Sequence, residues 1–240
     1  MATPLQTFVS EYARIRAAEG HGFATVEELR ALPRVDRNHR HAAIWRIRRR
    51  SYGVLVDRVL TQFDKPLRIL DLGAGCGWLT YRLSSLGHDV IAVDINSDSE
   101  DGLGAAGRLG CRSILADFDR LPLSERHADL AIFNGSFHYS TDYRRTLREA
   151  FRVAPLVVIM DSPIYYDETS GIRMVAEQSA RSAAIACKQF LTWTELAALG
   201  HWRVFHPWYG LRWAMRPMIA KLRGHREPAT FALLLQSRSV

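Results

Sequence analysis

One stretch constrains this chain more than any other: a short apolar run that ends in three glycines at alternate positions. Residues 67–72 are mostly apolar, which is typical of a buried parallel strand. Gly73, Gly75 and Gly77 follow, and from Trp78 onward apolar residues recur at helical spacing. Strand, glycine turn and helix form the first half of a nucleotide-binding βαβ unit, in which glycines allow unusual dihedral angles and close approach of a ligand. The stretch therefore predicts an α/β fold.

The residues around the glycines favour one ligand chemistry over another. A dinucleotide fingerprint has the spacing G-x-G-x-x-G/A, whose last small residue lets helix and strand pack closely. Here Trp78 occupies that position, and the spacing is G-x-G-x-G. Asp71 precedes the glycines, and a carboxylate there would repel a pyrophosphate but attract an ammonium or sulfonium group. The loop therefore favours S-adenosylmethionine, which carries both cations and no phosphate, over NAD.

A second carboxylate follows the glycine loop at a spacing along the chain that is typical of nucleotide-binding folds. Residues 90–94 predict a second strand with Asp94 at its carboxyl end. Asp94 lies 19 positions after Gly75, close to the ~20-residue offset at which an acidic side chain accepts hydrogen bonds from ribose hydroxyls. Asp94 is therefore the predicted ribose-binding residue.

The segment Asp71-Leu-Gly-Ala-Gly-Cys-Gly77 resembles motif I of the class I S-adenosylmethionine-dependent methyltransferases. The similarity continues with Val93-Asp-Ile95, Leu115-Ala-Asp-Phe118 and Ala128-Asp-Leu-Ala-Ile-Phe-Asn-Gly-Ser-Phe-His138, and it covers roughly residues 63–161. Within that superfamily the chain is most similar to small-molecule enzymes of the quinone-biosynthesis type. The resemblance implies transfer of a methyl group from S-adenosylmethionine to a small organic acceptor, with S-adenosylhomocysteine as the product.

The resemblance also implies an architecture. We expect a doubly wound, mostly parallel, seven-stranded Rossmann-like sheet with an antiparallel final strand. Residues 1–62 should form an N-terminal helical cap, and residues 63–240 the cofactor-binding domain. Two stretches, 162–190 and 207–227, are longer than simple connections, and we expect them to line an acceptor pocket.

Residue by residue, the resemblance implies a cofactor site at the carboxyl edge of the sheet. Asp71 and the three glycines would hold the methionine end, and Asp94 the ribose. Asp117 would accept a hydrogen bond from the adenine amino group while Phe118 packs on the ring. Further contacts are expected from Ala74, Trp78, Ile95, Asn134 and Gly135.

The acceptor side is less constrained by the sequence. His138 follows the fourth predicted strand, and its unperturbed pKa of ~6.5 would let it accept a proton near neutrality. Methyl transfer is a direct displacement that mainly needs alignment, so a base is required only if the acceptor must lose a proton. A structural histidine is the competing interpretation. Candidate acceptor contacts are Tyr12, Tyr139, Asp161 and Tyr165; Tyr12 could instead pack in the core, and Tyr165 could instead lie on a surface helix.

The charge balance raises a second function class. The formal net charge is +7 and the isoelectric point is about 9.7, which suits an RNA methyltransferase. However, the densest basic run, Arg46-Ile-Arg-Arg-Arg50, alternates at helical spacing with Ile44, Ile47 and Val54, so its arginines are predicted to form the solvated side of an amphipathic helix. A nicotinamide oxidoreductase and a noncatalytic nucleotide-binding module are two further function classes that a strand followed by a glycine loop allows.

Several sequence features mainly exclude classes of protein. Cys76, Cys111 and Cys187 are far apart and show no metal-binding spacing, so we expect no metal site and a reduced, cytoplasmic setting. No apolar run is long enough to span a membrane, and no export segment is evident. An aromatic and basic stretch near residues 208–222 allows three interpretations, namely an acceptor pocket, a dimer contact or docking on a membrane surface, of which we favour the pocket. A monomer or a homodimer is expected.

Overall fold

The computed structural model describes residues 4–179 and 187–238. These residues form nine strands: β1 (Arg68–Leu72), β2 (Asp89–Asp94), β3 (Arg112–Leu115), β4 (Leu130–Asn134), β5 (Leu156–Met160), β6 (Ile164–Tyr165), β7 (Leu191–Thr192), β8 (Arg203–Phe205) and β9 (Leu233–Ser237). Seven of the described strands form one sheet in the order β3-β2-β1-β4-β5-β9-β8, and β6 pairs with β7. In the large sheet β1 to β5 pair in parallel, whereas β9 runs antiparallel to both of its neighbours. The predicted sheet and its antiparallel final strand are confirmed.

Helices cover the sheet on both sides. Three precede it, α1 (Pro4–Ala18), α2 (Val26–Ala31) and α3 (Ala42–Val54), and three connect its parallel strands, α4 (Trp78–Ser85), α5 (Leu103–Arg108) and α6 (Tyr143–Val153). Along the rest of the described chain lie α7 (Glu168–Ser179), α8 (Trp193–Leu199), α9 (Leu211–Ala214) and α10 (Arg216–Leu222). Capping boxes begin α2 at Thr25 and α8 at Thr192, so these two helix starts are encoded locally.

The core lies in two layers because the side chains of each strand alternate between the two faces of the sheet. On β1, Ile69 faces the layer that contains α2, α3 and α4, whereas Leu70 and Leu72 face the layer that contains α6 and α8. Burial on both faces explains why the strands are nearly continuous apolar runs. The strand order reverses between β1 and β4, and an open α/β sheet binds its ligands beyond the carboxyl ends of the strands at such a point.

The sequence predicts a continuous helix over residues 38–62 and a last strand over the apolar run 229–235, and the structure differs at both. The helix expected over residues 38–62 is interrupted: α3 ends at Val54 and continues as a π turn, Leu55–Val59, and a 3₁₀ turn, Leu60–Gln62. The wider π turn brings residues five apart into line, so Leu55 and Leu60 are both buried. The last strand, expected over 229–235, begins only at Leu233, because Thr230 pairs instead with Ile164. The apolar side formed by Ile172, Met174 and Val175 also predicts a helix over 171–188. In the structure α7 covers Glu168–Ser179, and residues 180–186 lie outside the described residues.

Within residues 4–179 and 187–238, each helix is too short or too polar to cross a bilayer.

Candidate functional site

A cavity of about 340 Å³ lies at the carboxyl edge of the sheet, where β1 and β4 part. Its volume falls within the ~300–1,000 Å³ typical of small-molecule sites. The loops after β1, β2, β3 and β4 form one wall, and α1, α3 and the segments beside them form the opposite wall. The following predicted site residues line it: Tyr12, Gly73, Ala74, Gly75, Trp78, Asp94, Ile95, Asp117, Phe118, Asn134, Gly135 and Tyr139. Five predicted site residues that the structure describes lie outside the lining: Asp71, Gly77, His138, Asp161 and Tyr165.

The glycine loop is shaped by packing on two sides and left open on the third. Gly73, Gly75 and Gly77 have φ values of +74°, +53° and +73°, which L side chains rarely adopt. A Cβ on Gly73 would lie 2.3 Å from the Cβ of Ser136, and one on Gly77 would lie 2.5 Å from the Cβ of Ala106. At Gly75 the nearest atom would be a backbone oxygen 3.8 Å away. The middle glycine therefore leaves free space beside a backbone that lines the cavity.

Asp94 is held rigidly at the end of β2. Its Oδ2 accepts a hydrogen bond from the backbone N–H of Gly75 at 2.7 Å, and its Oδ1 accepts one from that of Asn96 at 2.8 Å. Burial raises the pKa of the carboxyl, while these backbone donors act in the opposite direction. A carboxylate offers about four acceptor sites, so hydroxyl groups in the cavity still find acceptors on a side chain that cannot rotate away.

Asp117 and Phe118 place a polar and an apolar group side by side after β3. The Oδ1 of Asp117 accepts a hydrogen bond from the N–H of Asp119 at 2.9 Å. The Phe118 ring packs edge-on against Phe133, with 5.6 Å between the ring centroids. This pairing offers a hydrogen-bond acceptor next to an aromatic surface, a combination that suits a planar heterocycle with an amino group.

At the end of β4 the cavity contains an unsatisfied polar atom. The Oδ1 of Asn134 is buried and has no hydrogen-bond partner among the described residues. Such atoms are uncommon in folded proteins, and this one belongs to a residue of the cavity lining. Next to it, Gly135 has a φ of +67°. The Tyr139 ring lies across from Tyr12 of α1, with 5.5 Å between the centroids.

Asp71 takes a different place from the one predicted. It is fully buried, and its Oδ2 accepts hydrogen bonds from the backbone N–H and the hydroxyl of Thr80, at 3.1 and 2.7 Å. Strand alternation puts Asp71 on the same face as Ile69, beneath α4, rather than in the cavity. Burial raises its pKa to about 7. Its carboxyl group fixes the first turn of α4 under the glycine loop.

His138, Asp161 and Tyr165 also lie outside the cavity lining. The His138 Nδ1 is 3.2 Å from the hydroxyl of Ser162, and burial lowers its pKa to about 3, so the ring is neutral. Asp161 accepts a hydrogen bond from the hydroxyl of Ser51 at 2.5 Å, and Tyr165 packs against Phe190. An enclosed imidazole with so low a pKa is a weak base, because burial disfavours its protonated form, and this makes it poorly suited to the general-base role predicted for it.

Sequence reasoning missed the cationic side chains that the N-terminal helices supply. Arg48 lines the cavity, with its guanidinium carbon 4.6 Å from the centre of the Trp45 ring, and it makes no ion pair or hydrogen bond with any described residue. Arg16 also lines the cavity, but it is paired with Asp101 through two hydrogen bonds of 2.6 and 2.8 Å. The spacing of Arg48 could have identified it. Arg48 follows Trp45, which is buried, by three positions, so the two side chains lie on the same face of α3.

The two expected insertions contribute little to this cavity. From 162–190, Cys187 is the one described residue in its lining, and no residue of 207–227 reaches it. The segment that holds α9 and α10 packs instead through Trp213 on Phe231, and the hydroxyl of its Tyr209 lies 3.3 Å from that of Ser51. In the described part of the chain, no three His, Cys, Asp or Glu side chains are grouped in a way that could hold a metal ion.

Comparisons with known proteins point in the same direction as the geometry. Residues 70–155 match the family described as "Methyltransferase domain". A malonyl-[acyl-carrier protein] O-methyltransferase of Coxiella burnetii is 28% identical over 103 residues, which are 41% of this chain and 35% of that protein. An uncharacterised methyltransferase of Mycobacterium tuberculosis is 37% identical over 86 residues, or 36% of this chain and 35% of its own length. The match thus spans about a third of the curated relatives.

Solved structures extend the likeness in fold to the whole chain. A geranyl diphosphate C-methyltransferase of Streptomyces coelicolor, solved with S-adenosyl-L-homocysteine, superimposes with a TM-score of 0.60 at 13% identity and covers 99% of both chains. The YcgJ protein of Bacillus subtilis gives a TM-score of 0.59 at 15% identity, covering 78% of this chain and 96% of its own. Residues 70–155 therefore contain a methyltransferase domain, and the chain resembles the class I S-adenosylmethionine-dependent methyltransferases in its 3-2-1-4-5 strand order and its glycine loop.

Proposed function

We propose that the protein transfers a methyl group from S-adenosylmethionine to a small organic acceptor. The observation that carries this proposal is the convergence, in one cavity, of the open glycine loop, the fixed Asp94 and the Asp117–Phe118 pair. The curated relative from Coxiella burnetii is an O-methyltransferase, which supports the reaction class. Since the match covers about a third of that protein, the acceptor is proposed here only as a small molecule. The quinone-biosynthesis-type branch stays a prediction.

The residues present fit the cofactor. When bound, S-adenosylmethionine supplies a methyl group on a positively charged sulfur. Asp94 would accept hydrogen bonds from the ribose hydroxyls, Asp117 would accept one from the adenine amino group, and Phe118 would pack on the ring. The buried Oδ1 of Asn134, which has no partner among the described residues, would accept from the ammonium group.

Arg48 is the group that we assign to the methionine carboxylate. It is a lining cation without a carboxylate partner in the described part of the chain, and its Nη2 lies 3.9 Å from where a Cβ on Gly135 would be. A planar guanidinium binds a carboxylate through two parallel hydrogen bonds. Stacking on the buried Trp45 limits its motion, so little conformational entropy is lost when it binds.

The acceptor would lie between the strand ends and the N-terminal helices, beside Tyr12 and Tyr139. These two tyrosines would help to align the nucleophile, the methyl carbon and the sulfur, because a direct displacement needs little else. Burial raises the pKa of Tyr139, so its hydroxyl remains a hydrogen-bond donor at neutral pH. His138, neutral and enclosed, would support the Tyr139 ring, whose centroid lies 4.3 Å from its own, rather than take a proton.

A thermal-shift titration with S-adenosylmethionine, S-adenosylhomocysteine and NAD tests the proposal first. A ligand of the native state at a hundred times its dissociation constant adds ~2.7 kcal/mol to the free energy of unfolding. We expect the first two compounds to raise the melting temperature and NAD to leave it unchanged. Stabilisation by NAD alone would reject the cofactor assignment. Turnover is then tested by the formation of S-adenosylhomocysteine with a panel of small acceptors. An activity that does not change with salt concentration would separate a small acceptor from RNA, whose binding weakens steeply as salt is raised.

Replacing Arg48 with glutamine should weaken binding of S-adenosylhomocysteine by about tenfold, or ~1.4 kcal/mol, because a charge-assisted hydrogen bond to the methionine carboxylate is lost. Arg49→Gln is the matched control, since Arg49 is the next residue of α3 and is exposed. Isothermal titration calorimetry of both variants measures the difference. Equal affinities for the two variants would remove Arg48 from the cofactor site.

A further inference from the structure

The segment 207–227 has an unusual surface. Leu211, Met215, Met218 and Leu222 are spaced by four, three and four residues, so they fall on one face of the nearly continuous helix formed by α9 and α10. Their side chains are 68%, 38%, 53% and 80% exposed, and Trp208 just before them is 65% exposed. We call these five residues the α9–α10 stripe. Apolar residues at helical spacing normally face a core, but here they face outward.

The opposite face of the same segment fixes it to the body of the protein. The Trp213 ring packs against Phe231, with 6.3 Å between centroids, and the Tyr209 hydroxyl donates a hydrogen bond to the carbonyl oxygen of Phe231 at 3.3 Å. Arg216 also donates a hydrogen bond to the carbonyl oxygen of Ala229 at 2.9 Å. The outward orientation of the stripe is therefore a property of a docked segment, since its inner face already has its own contacts.

The charges around the stripe have one sign. Arg212, Lys221 and Arg223 are exposed, and residues 207–226 contain no Asp or Glu. The next acidic residue, Glu227, accepts hydrogen bonds from the backbone N–H groups of Tyr166 and Asp167. A second copy of the chain paired about a two-fold axis would set these cations against their own counterparts with no acid in the segment to offset them. The charge pattern thus disfavours a self-association surface and favours an anionic partner.

We propose that the α9–α10 stripe docks the protein on an anionic lipid surface. Exposed Leu, Met and Trp side chains would enter the interface between headgroups and acyl chains, while Arg212, Lys221 and Arg223 contact the lipid phosphates. Helices of this length lie on a membrane and do not span it, in agreement with the absence of a spanning helix in the described residues. This inference rests on surface residues that the cavity does not use, so it stands apart from the methyltransferase proposal.

Co-sedimentation of the full chain with lipid vesicles tests it. We expect the protein to sediment with vesicles of phosphatidylcholine and phosphatidylglycerol, to do so less as salt is raised, and to remain in solution with phosphatidylcholine alone. The double variant Leu211→Ser/Leu222→Ser should lose about tenfold or more in partitioning, because two apolar side chains no longer enter the interface. Arg212→Gln/Lys221→Gln should lose about fivefold per charge removed.

Matched controls replace the same residue types elsewhere on the surface. Leu86 and Leu115 are 51% and 62% exposed and lie off the stripe, so Leu86→Ser/Leu115→Ser should partition like the wild type. Arg49→Gln/Arg58→Gln is the charge control, because both arginines are exposed and lie outside the segment, and equal melting temperatures show that all variants are folded. The proposal is overturned if the wild type does not bind the anionic vesicles, or if Leu211→Ser/Leu222→Ser and Leu86→Ser/Leu115→Ser partition equally. A dimer in sedimentation equilibrium that the stripe variant abolishes, without vesicle binding, would assign the stripe to a second copy instead.

Discussion

Replacing Asp71 with asparagine is expected to make the protein more stable at pH 8, and the difference in stability between the variant and the wild type should grow as the pH rises from about 4 to about 7. In the folded state burial raises the pKa of Asp71 to about 7, against 3.8 for the free group. Between these two values the folded chain holds a proton that the unfolded chain releases, so the free energy of unfolding falls as the pH rises. A difference of about three pKa units corresponds to ~4 kcal/mol by pH 8.

Asparagine keeps the oxygen that accepts hydrogen bonds from Thr80 but carries no charge to bury. Urea denaturation of wild type and variant between pH 4.5 and pH 8 measures the effect. Asp89→Asn is the control, because that carboxylate is 56% exposed at the other end of the sheet and pairs with Arg112. If the stabilities of the wild type and Asp71→Asn change in parallel over this range, burial does not raise the pKa of Asp71 and the argument from burial is wrong.

The same residue shows how far the sequence alone could lead. The spacing of Asp71 from the glycines identified the loop and the family correctly, because those features depend on local geometry and order along the chain. Whether the carboxylate faces the cavity or α4 depends on which face of β1 is covered by that helix. This depends on tertiary packing, because Thr80 can donate hydrogen bonds to a residue nine positions earlier only once α4 has packed on the sheet.

For Arg48 and His138 the sequence predicts the place in the fold correctly, but it does not predict which way the side chain points. The run Arg46–Arg50 has helical spacing and correctly predicts an exposed basic face, yet Arg48 sits over the buried Trp45 and turns inward. His138 has the residue type for proton transfer and follows the correct strand, but a 3₁₀ turn, Phe137–Tyr139, points Tyr139 into the cavity and leaves the histidine enclosed. Composition and spacing identify the candidate site residues. Which of them contacts the ligand depends on the backbone conformation of a single turn.

The stripe on α9 and α10 is visible in the sequence as an aromatic and basic stretch with three competing interpretations. The structure disfavours the first of them, because no residue of 207–227 lines the cavity. The sequence alone could not disfavour it, since a pattern of apolar residues at helical spacing indicates that a face is covered without indicating what covers it. The contacts of Tyr209 and Trp213 on the inner face show that the described body of the protein is not the cover.

Replacing Asp94 with alanine should have the largest effect on cofactor affinity. We expect the dissociation constant of S-adenosylhomocysteine to rise by about 10- to 150-fold, which is ~1.5–3 kcal/mol, because the charged hydrogen bonds to the ribose hydroxyls are lost. The carboxylate also accepts from the N–H groups of Gly75 and Asn96, so the variant frees the middle of the glycine loop. Asp94→Asn, which keeps one carbonyl acceptor, should fall between the alanine variant and the wild type.

Asp89→Ala separates this effect from a general weakening of β2, since Asp89 begins the strand that Asp94 ends. Calorimetric titration of the three variants with S-adenosylhomocysteine should therefore rank the affinities as Asp89→Ala, then Asp94→Asn, then Asp94→Ala, with the first equal to the wild type. Melting temperatures without ligand show how much of the loss reflects a loosened loop. An unchanged affinity in Asp94→Ala would reject the ribose assignment, whereas a loss matched by Asp89→Ala would trace the effect to the strand and not to the contact.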